Sequence, residues 1–361
     1  MTMHILFTLK DFKPGGGVEC VQQRLAGQFL KDGRRVSFFV MNGDTPDIEN
    51  VRTIAGGGSG LSGLLKSVVL LRRFIRREGV THLIGAKEQA NVCTWLATLG
   101  TPCQVIYTRH AALDCAEQAT GIGSLRLLYM LYLCGSGKVV AVSHGLRQAL
   151  SRLIPWGHPR IRYCPNAVVT ENLLSAAQSP LPAGIPAQYW LGVGRLVEPK
   201  GFHLMLDAYA IAARQSALPF LVIAGDGPQR TQLQAQACRL GIERQVYFTG
   251  HLRNPYPVMR HARLLILSSF HEGLPTVLIE ALALGTPVLA TDCGSGPREL
   301  LDNGRLGQLV HVNDVPELAQ AMLHSLNADG GIAPGGRDIA DAVRPYTSQH
   351  AAQAYYQVWN Q

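Results

Sequence analysis

The sequence predicts an α/β protein of two doubly wound domains, each a parallel sheet flanked by helices. Three observations carry that expectation. The chain has 361 residues, long for one domain and comfortable for two. Short apolar runs alternate along it with stretches of helical length, the pattern of strands joined by crossover helices. The alternation lapses at Thr170–Gln188, where three prolines and small polar residues mark a linker, and then starts again.

The elements follow in order. His4–Leu9 reads as a first buried strand, and Val18–Lys31 as a helix after a glycine turn. Val36–Met41, His82–Gly85, Val105–Thr108 and Lys138–Val142 are further strands, short and mostly apolar. Leu61–Arg77, Ala90–Leu99 and His144–Leu153 carry the helical pattern between them. The second half has strands at Trp190–Val193, Phe220–Ala224, Val246–Thr249, Leu264–Ser268 and Val288–Thr291. Its helices are Phe202–Arg214, Arg230–Gly241, Val258–His261 and Thr276–Leu284. Pro275 suits the first position of the last of these, and Gly285 and Pro287 stop it.

A hydrophobic content of 47% with 16% charged residues describes a well-cored globular chain. Asn91–Thr108 is uncharged but broken by Gly100 and Pro102, and Leu127–Gly137 is too short to span a bilayer. The opening MTMHILFTLK lacks the layout of a signal peptide. Eight cysteines without a CxxC or a zinc spacing point to reduced thiols in the cytoplasm. Charge is uneven: 20 Lys+Arg face 11 Asp+Glu up to Asn172, against 13 and 14 beyond it. A basic first half suggests an anionic partner: a phosphate-bearing acceptor, a membrane surface or, with no motif to support it, a nucleic acid. On Leu61–Glu78, Leu61, Leu64, Leu65, Val68, Leu71 and Ile75 form one stripe, and Lys66, Arg73, Arg76 and Arg77 another. Membrane-surface helices and sheet-covering helices with a solvated basic face both look like this.

Ser268–Pro287 is the most informative segment. Glu272 falls in the loop leaving a strand and Glu280 inside the next helix, eight positions on. Ligands of open α/β sheets bind at such carboxyl ends. Glu280 is flanked by Leu278, Ile279, Ala281 and Leu282, where an acid needs a partner, and the amides near Leu274–Thr276 suit a phosphate. Arg195 and Lys200 follow another strand directly; two cations there can neutralise a leaving diphosphate. Gly15-Gly16-Gly17 lets backbone amides approach an anion or merely makes a tight turn. It is not a G-x-G-x-x-G fingerprint, nor is Gly192-Val193-Gly194, because position 197 is valine. No Asp-x-Asp occurs, so side-chain cations and helix N-termini would have to stand in for a divalent metal.

Taken in order, these residues resemble the retaining glycosyltransferases of family 4. The matching set is Gly16-Gly17 with Val18-Glu19, Ala141-Val142-Ser143, Pro165-Asn166, Gly194-Arg195-Leu196 with Lys200-Gly201, Gly225-Asp226-Gly227-Pro228, Thr249-Gly250, and Glu272-Gly273-Leu274-Pro275 through Glu280-Ala281. It covers nearly the whole chain. The resemblance implies a GT-B fold, two Rossmann-like domains facing across a cleft. Residues 1–172 would be the acceptor domain, residues 173–345 the nucleotide-sugar domain, and the helix 346–361 would pack back on the first.

It further implies a UDP- or GDP-sugar donor, no separate cofactor and no metal. Arg195 and Lys200 would hold the diphosphate, Glu280 the ribose hydroxyls, and Glu272 the transferred sugar. Gly273, Leu274, Pro275 and Thr276 would line the donor with Gly194 and Gly250. Gly16 and Gly17 would meet the phosphates, and His110 would lie near the donor sugar. His144, Ala167 and Cys20 replace the family's usual Glu, Gly and Arg, all in the first domain. With no obvious carboxylate nucleophile, a front-face retaining transfer fits better than double displacement. A bacterial cell-surface polysaccharide or lipopolysaccharide acceptor, glycan or lipid-linked, at the inner membrane face is the expected context. A sugar-nucleotide epimerase of the same fold and a non-catalytic sugar-nucleotide-binding protein remain alternatives.

Overall fold

The computed structural model describes residues 3–12, 16–43, 45, 48, 50–111, 113, 122–135, 137–294, 296–326 and 336–361; Gly15 of the glycine turn lies outside them. The chain forms two compact units, Met1–Ala167 with Thr347–Gln361, and Val168–Tyr346.

Unit 1 is built on seven parallel strands: β1 (His4–Asp11), β2 (Arg35–Asn42), β3 (Arg52–Ala55), β4 (His82–Ala86), β5 (Gln104–Arg109), β6 (Lys138–Ala141) and β7 (Ile161–Tyr163). Their order is β3-β2-β1-β4-β5-β6-β7, so the winding reverses between β1 and β4. Phe7 of β1 pairs with Phe38 of β2, and their rings stack 4.9 Å apart inside the core. The C-terminal helix Ser348–Asn360 closes this core. Its Trp359 ring lies 5.8 Å from Phe29 and 4.8 Å from His82, while Lys138 Nζ donates to Val358 O.

Unit 2 has six parallel strands: β8 (Tyr189–Val193), β9 (Phe220–Ala224), β10 (Val246–Gly250), β11 (Leu264–Leu267), β12 (Val288–Thr291) and β13 (Gln308–Val310). Their order, β10-β9-β8-β11-β12-β13, is the doubly wound arrangement with its reversal between β8 and β11. Trp190, Tyr209, Leu206 and Met322 pack its core under the helices Phe202–Ala213 and Val315–His324.

Expected elements recur within one or two residues of their expected ends; the helix expected at Val258–His261 is Tyr256–Arg260, and the one expected at Ala90–Leu99 is Glu88–Thr98. Pro275 is the N-cap, not the first helical residue. Strands β3, β7 and β13 were not foreseen: each has three or four residues, too few to show a period. The helix Ile122–Cys134 hid in an apolar run, and the expected linker holds the helix Glu171–Ala176, capped by Thr170 Oγ1 accepting from Leu173 N–H at 3.0 Å. The stripe on Gly60–Glu78 is only partly buried. Leu71 and Ile75 pack beside Gly63, Ser67 and Phe74, whereas Leu61 and Leu65 face solvent.

Trp359 is buried at 4% exposure, so Trp359→Ala should destabilise unit 1 by about 3–5 kcal/mol. Urea unfolding followed by probes in each unit should show the unit 1 transition moving to lower denaturant. An unmoved transition would mean that the terminal helix contributes nothing to the unit.

Candidate active site

Where a doubly wound sheet reverses, the loops leaving the two central strands diverge and open a crevice at their carboxyl ends. In unit 2 those loops carry Gly194–Gly201 after β8 and Ser268–Pro275 after β11. The first is tied down by its neighbour: Gly194 N–H donates to Ala224 O at 3.1 Å, and Leu196 N–H to Asp226 O at 2.9 Å. A Cβ on Gly225 would fall 1.8 Å from Gly194 O, so only glycine allows this approach. Gly225 N–H donates in turn to Gly250 O at 3.0 Å. Gly250 has a φ of +74° that disfavours any side chain. Gly194 and Gly250 thus shape the sheet edge whatever binds there.

Lys200 owes its position to Gly201. That residue has a φ of +62°, ends the short turn Glu198–Lys200 and caps the helix Phe202–Ala213. A Cβ there would lie 2.1 Å from Ser268 O, so the two loops touch through bare backbone. Ser268 Oγ donates to Lys200 O at 3.1 Å, and Phe270 N–H to Pro199 O at 2.9 Å. The result is an ion pair across the reversal: Lys200 Nζ donates to Glu272 Oε1 at 2.6 Å. Ser269 Oγ donates to the same oxygen at 2.7 Å, and Thr291 Oγ1 of β12 holds Ser269 O at 2.6 Å. Burial and the Glu272 carboxylate push the Cys293 thiol up to about 12, which leaves it an inert neighbour. Arg195 is exposed and makes no ion pair among the described residues, so its charge faces solvent.

The helix Thr276–Ala283 starts at the far side of this loop with Pro275 as N-cap and no side-chain cap, which leaves its first amides without helical partners. Gly273, Leu274 and Pro275 are pinned from below by Gly296, where a Cβ would meet Pro275 Cδ at 2.7 Å and Gly273 O at 3.3 Å at a φ of +88°. Glu280, in the second turn, is 7% exposed and held by neighbouring groups. Ser269, Thr291 and Gly296 were missed in the sequence; the Gly-x-Gly-Pro at 294–297 before a helix was the available signal for the last.

Unit 1 gathers a second polar cluster at its own reversal. Gly16 is the N-cap of the helix Gly17–Lys31, and a Cβ on Gly17 would meet nothing within 4 Å, so packing does not demand that glycine. Lys87, just past β4, adopts a φ of +73°, a cost of about 1–3 kcal/mol for a residue with a side chain. Its ammonium donates to Glu19 Oε1 at 2.5 Å and Asp11 Oδ1 at 3.1 Å. Burial works against that charge, but Glu19 and Asp11 outweigh it and its pKa is raised. Beside it, Arg109 donates to Glu88 Oε1 at 2.6 Å, an oxygen shared with Tyr129 OH at 2.7 Å.

His110 leaves β5 into this cluster, where burial and then the charges of Lys87 and Arg109 push its pKa down to about 3. It is therefore neutral at ordinary pH, and hydrogen-bond counting fixes its tautomer. Thr108 Oγ1 donates its one proton to Gly85 O at 2.8 Å, so at 3.0 Å from His110 Nε2 it can only accept. The ring proton then sits on Nε2; the structure places the Gln22 amide nitrogen 3.3 Å from that atom, and turning the amide over brings its oxygen there as the acceptor. The opposite amide orientation leaves Gln22 Oε1 buried without a partner. Nδ1 remains as a hydrogen-bond acceptor.

Two family models match the chain in succession: "Glycosyltransferase Family 4" over residues 15–172 and "Glycosyl transferases group 1" over residues 187–328. Among curated relatives, an uncharacterized glycosyltransferase of Methanocaldococcus jannaschii is 37% identical over 39% of this chain and 36% of its own. The lipopolysaccharide core biosynthesis glycosyltransferase LpsE of Rhizobium meliloti is 30% identical over 63% of this chain and 65% of its own. The chain thus spans between about a third and two thirds of these relatives' length. The crystal structure of Anabaena HepE in complex with UDP superposes with a TM-score of 0.78 at 20% identity, over 99% of this chain and 100% of the other, and shares the GT-B fold.

Two outcomes follow from this geometry. Gly201→Ala forces the loops after β8 and β11 apart and should destabilise unit 2 by about 2–4 kcal/mol, measured by urea unfolding; a loss under about 0.5 kcal/mol would contradict the contact. Nitrogen-15 spectra of His110, assigned with His110→Gln, should show a single neutral ring protonated at Nε2 from about pH 5 to about pH 9. A proton on Nδ1, or titration within that window, would overturn the assignment.

Proposed function

We propose that this chain, whose halves match two glycosyltransferase models in succession, is a glycosyltransferase. In this reading it moves a hexosyl unit from a nucleotide diphosphate sugar, UDP- or GDP-linked, to a hydroxyl of a glycan or lipid-linked acceptor. The observation that supports it best is the Lys200–Glu272 pair at the sheet reversal, on a loop that also carries the exposed Arg195. A site that must receive a diphosphate needs positive charge fixed in place before the ligand arrives; Lys200, held by Glu272, meets that need, and Arg195 adds an exposed cation on the same loop.

As the bond from the anomeric carbon to the diphosphate oxygen lengthens, its electron pair passes to the phosphate, and the sugar ring gains oxocarbenium character. Lys200 supplies a point charge to that oxygen; Arg195 offers a planar fork of donors to the diphosphate. Glu272 Oε1 already accepts from Lys200 and Ser269, so its carboxylate is better suited to orienting a sugar hydroxyl than to attacking carbon. The acceptor oxygen attacks on the face the diphosphate leaves and gives its proton to the departing phosphate, which retains the anomeric configuration. Glu280 takes the ribose hydroxyls, the amides of Gly273, Leu274 and Thr276 face the phosphates, and Pro275 fixes the turn. Within unit 1, Gly16 and Gly17 leave backbone open to an anion at the start of their helix, and neutral His110 can accept from a hydroxyl at Nδ1. No metal or further cofactor takes part in these steps.

The relative LpsE is named for lipopolysaccharide core biosynthesis, which supports a cell-surface polysaccharide or lipopolysaccharide pathway served from the cytoplasm. No described helix is long and apolar enough to cross a membrane.

Lys200→Ala tests the reading. Turnover should fall about 10²–10³-fold, with circular dichroism and unfolding midpoint close to wild type. Product from UDP- or GDP-hexose should keep the donor's anomeric configuration by proton NMR, and EDTA should leave the rate unchanged. Near-normal turnover in folded Lys200→Ala, or loss of all activity on chelation, would refute the proposed chemistry.

A further inference from the structure

The helix Gly60–Glu78 presents an apolar face that the fold leaves uncovered. It packs on unit 1 through Gly63, Ser67, Leu71, Phe74 and Ile75. On the other side Leu61, Leu65 and Val69 follow one another at every fourth position and are 74%, 57% and 58% exposed. This stripe runs about 12 Å along the helix. Arg72 Nη1 donates to Ala97 O at 3.2 Å and Leu99 O at 2.8 Å, which brings Leu99, itself 48% exposed, alongside from the neighbouring helix Glu88–Thr98. The patch therefore crosses two helices and is not a frayed end of one.

Its border is cationic. Lys66, Arg73, Arg76 and Arg77 are all exposed on the same half of the helix. The helix has one acid, Glu78, and it is committed to Arg35 at 2.6 Å and Arg52 at 2.7 Å. Arg77 Nε also lies 3.9 Å from Glu78 Oε1, so among the described residues no acid of this helix is left for Lys66, Arg73 and Arg76. Long basic side chains around a shallow row of Leu and Val can lower the aliphatic groups into a lipid interface while their own heads stay at phosphate level.

We infer that the face formed by Leu61, Leu65, Val69 and Leu99, with its rim of Lys66, Arg73 and Arg76, docks this protein on an anionic lipid surface. This deepens the glycosyltransferase reading, since it brings unit 1 to the place where a lipid-linked acceptor would be presented. It rests on that reading only for its purpose: lipid binding needs neither donor nor acceptor. Apolar burial and charge act together here, so removal of either weakens docking severalfold.

Co-sedimentation of the full chain with vesicles of phosphatidylcholine alone, or mixed with phosphatidylglycerol, tests the inference. Wild type should bind the mixed vesicles at least about tenfold more tightly than the neutral ones, and less as salt rises. Leu61→Gln/Leu65→Gln and Arg73→Gln/Arg76→Gln should each weaken binding about tenfold, with unfolding midpoints and UDP or GDP thermal shifts unchanged. Equal binding to both vesicles, or variants that bind like wild type, would overturn it. So would absence of binding, including the case where sedimentation equilibrium instead shows self-association lost in Leu61→Gln/Leu65→Gln. None of these outcomes touches the donor site, whose failure would appear in the nucleotide shifts alone.

Discussion

The carbonyl of Ser268 leaves no room for a Cβ at position 201, and the chemistry of unit 2 is built around that contact. Because the loops after β8 and β11 meet through bare backbone, Lys200 emerges within reach of Glu272. A larger residue at 201 would separate them by more than an ion pair tolerates. Glycines 225, 250 and 296 extend the same logic along the sheet edge, each in a close approach or at a positive φ. The site is therefore assembled by backbone packing first, and charged side chains are then mounted on it.

Electrostatics explains why those charges survive. A lysine partly withdrawn from water loses its proton readily unless a carboxylate holds it. Lys87, held by Glu19 and Asp11, is such a lysine; at the reversal of unit 2, Lys200 pairs with Glu272. The Lys87 cluster is saturated by two acids and serves mainly to set the charge around His110, which stays neutral beside it. Lys200 has one acid, and Arg195 on the same loop makes no ion pair among the described residues, so this loop carries more positive charge than its acid balances. That difference is why diphosphate binding is proposed for the second unit.

Much of this was legible in the residues themselves. Strands such as Phe220–Ala224 and Val288–Thr291 announce themselves because both faces of a central parallel strand are buried and the run is purely apolar. Glu272, Lys200 and Arg195 were found because charge directly after an apolar strand is rare without a purpose. The short strands β3, β7 and β13 escaped because three or four residues cannot display a period. Lys87, Gln22, Glu88 and Arg109 escaped for another reason: their partners lie between 21 and 88 positions away in sequence, and only the sheet order brings them together. The exposure of Leu61 and Leu65 was likewise invisible, since a helical wheel cannot tell which part of a wide apolar stripe the sheet will cover.

The central claim is that fixed side-chain cations, not a divalent ion, neutralise a bound diphosphate. Calorimetric titration of UDP and GDP in the presence of EDTA, into wild type and into an Arg195→Ala/Lys200→Ala double variant, measures this most directly. The account predicts that one of the two nucleotides binds wild type despite the chelator and that the double variant loses most of that affinity while remaining folded. Binding that requires a divalent ion, or that survives in the double variant, would contradict it.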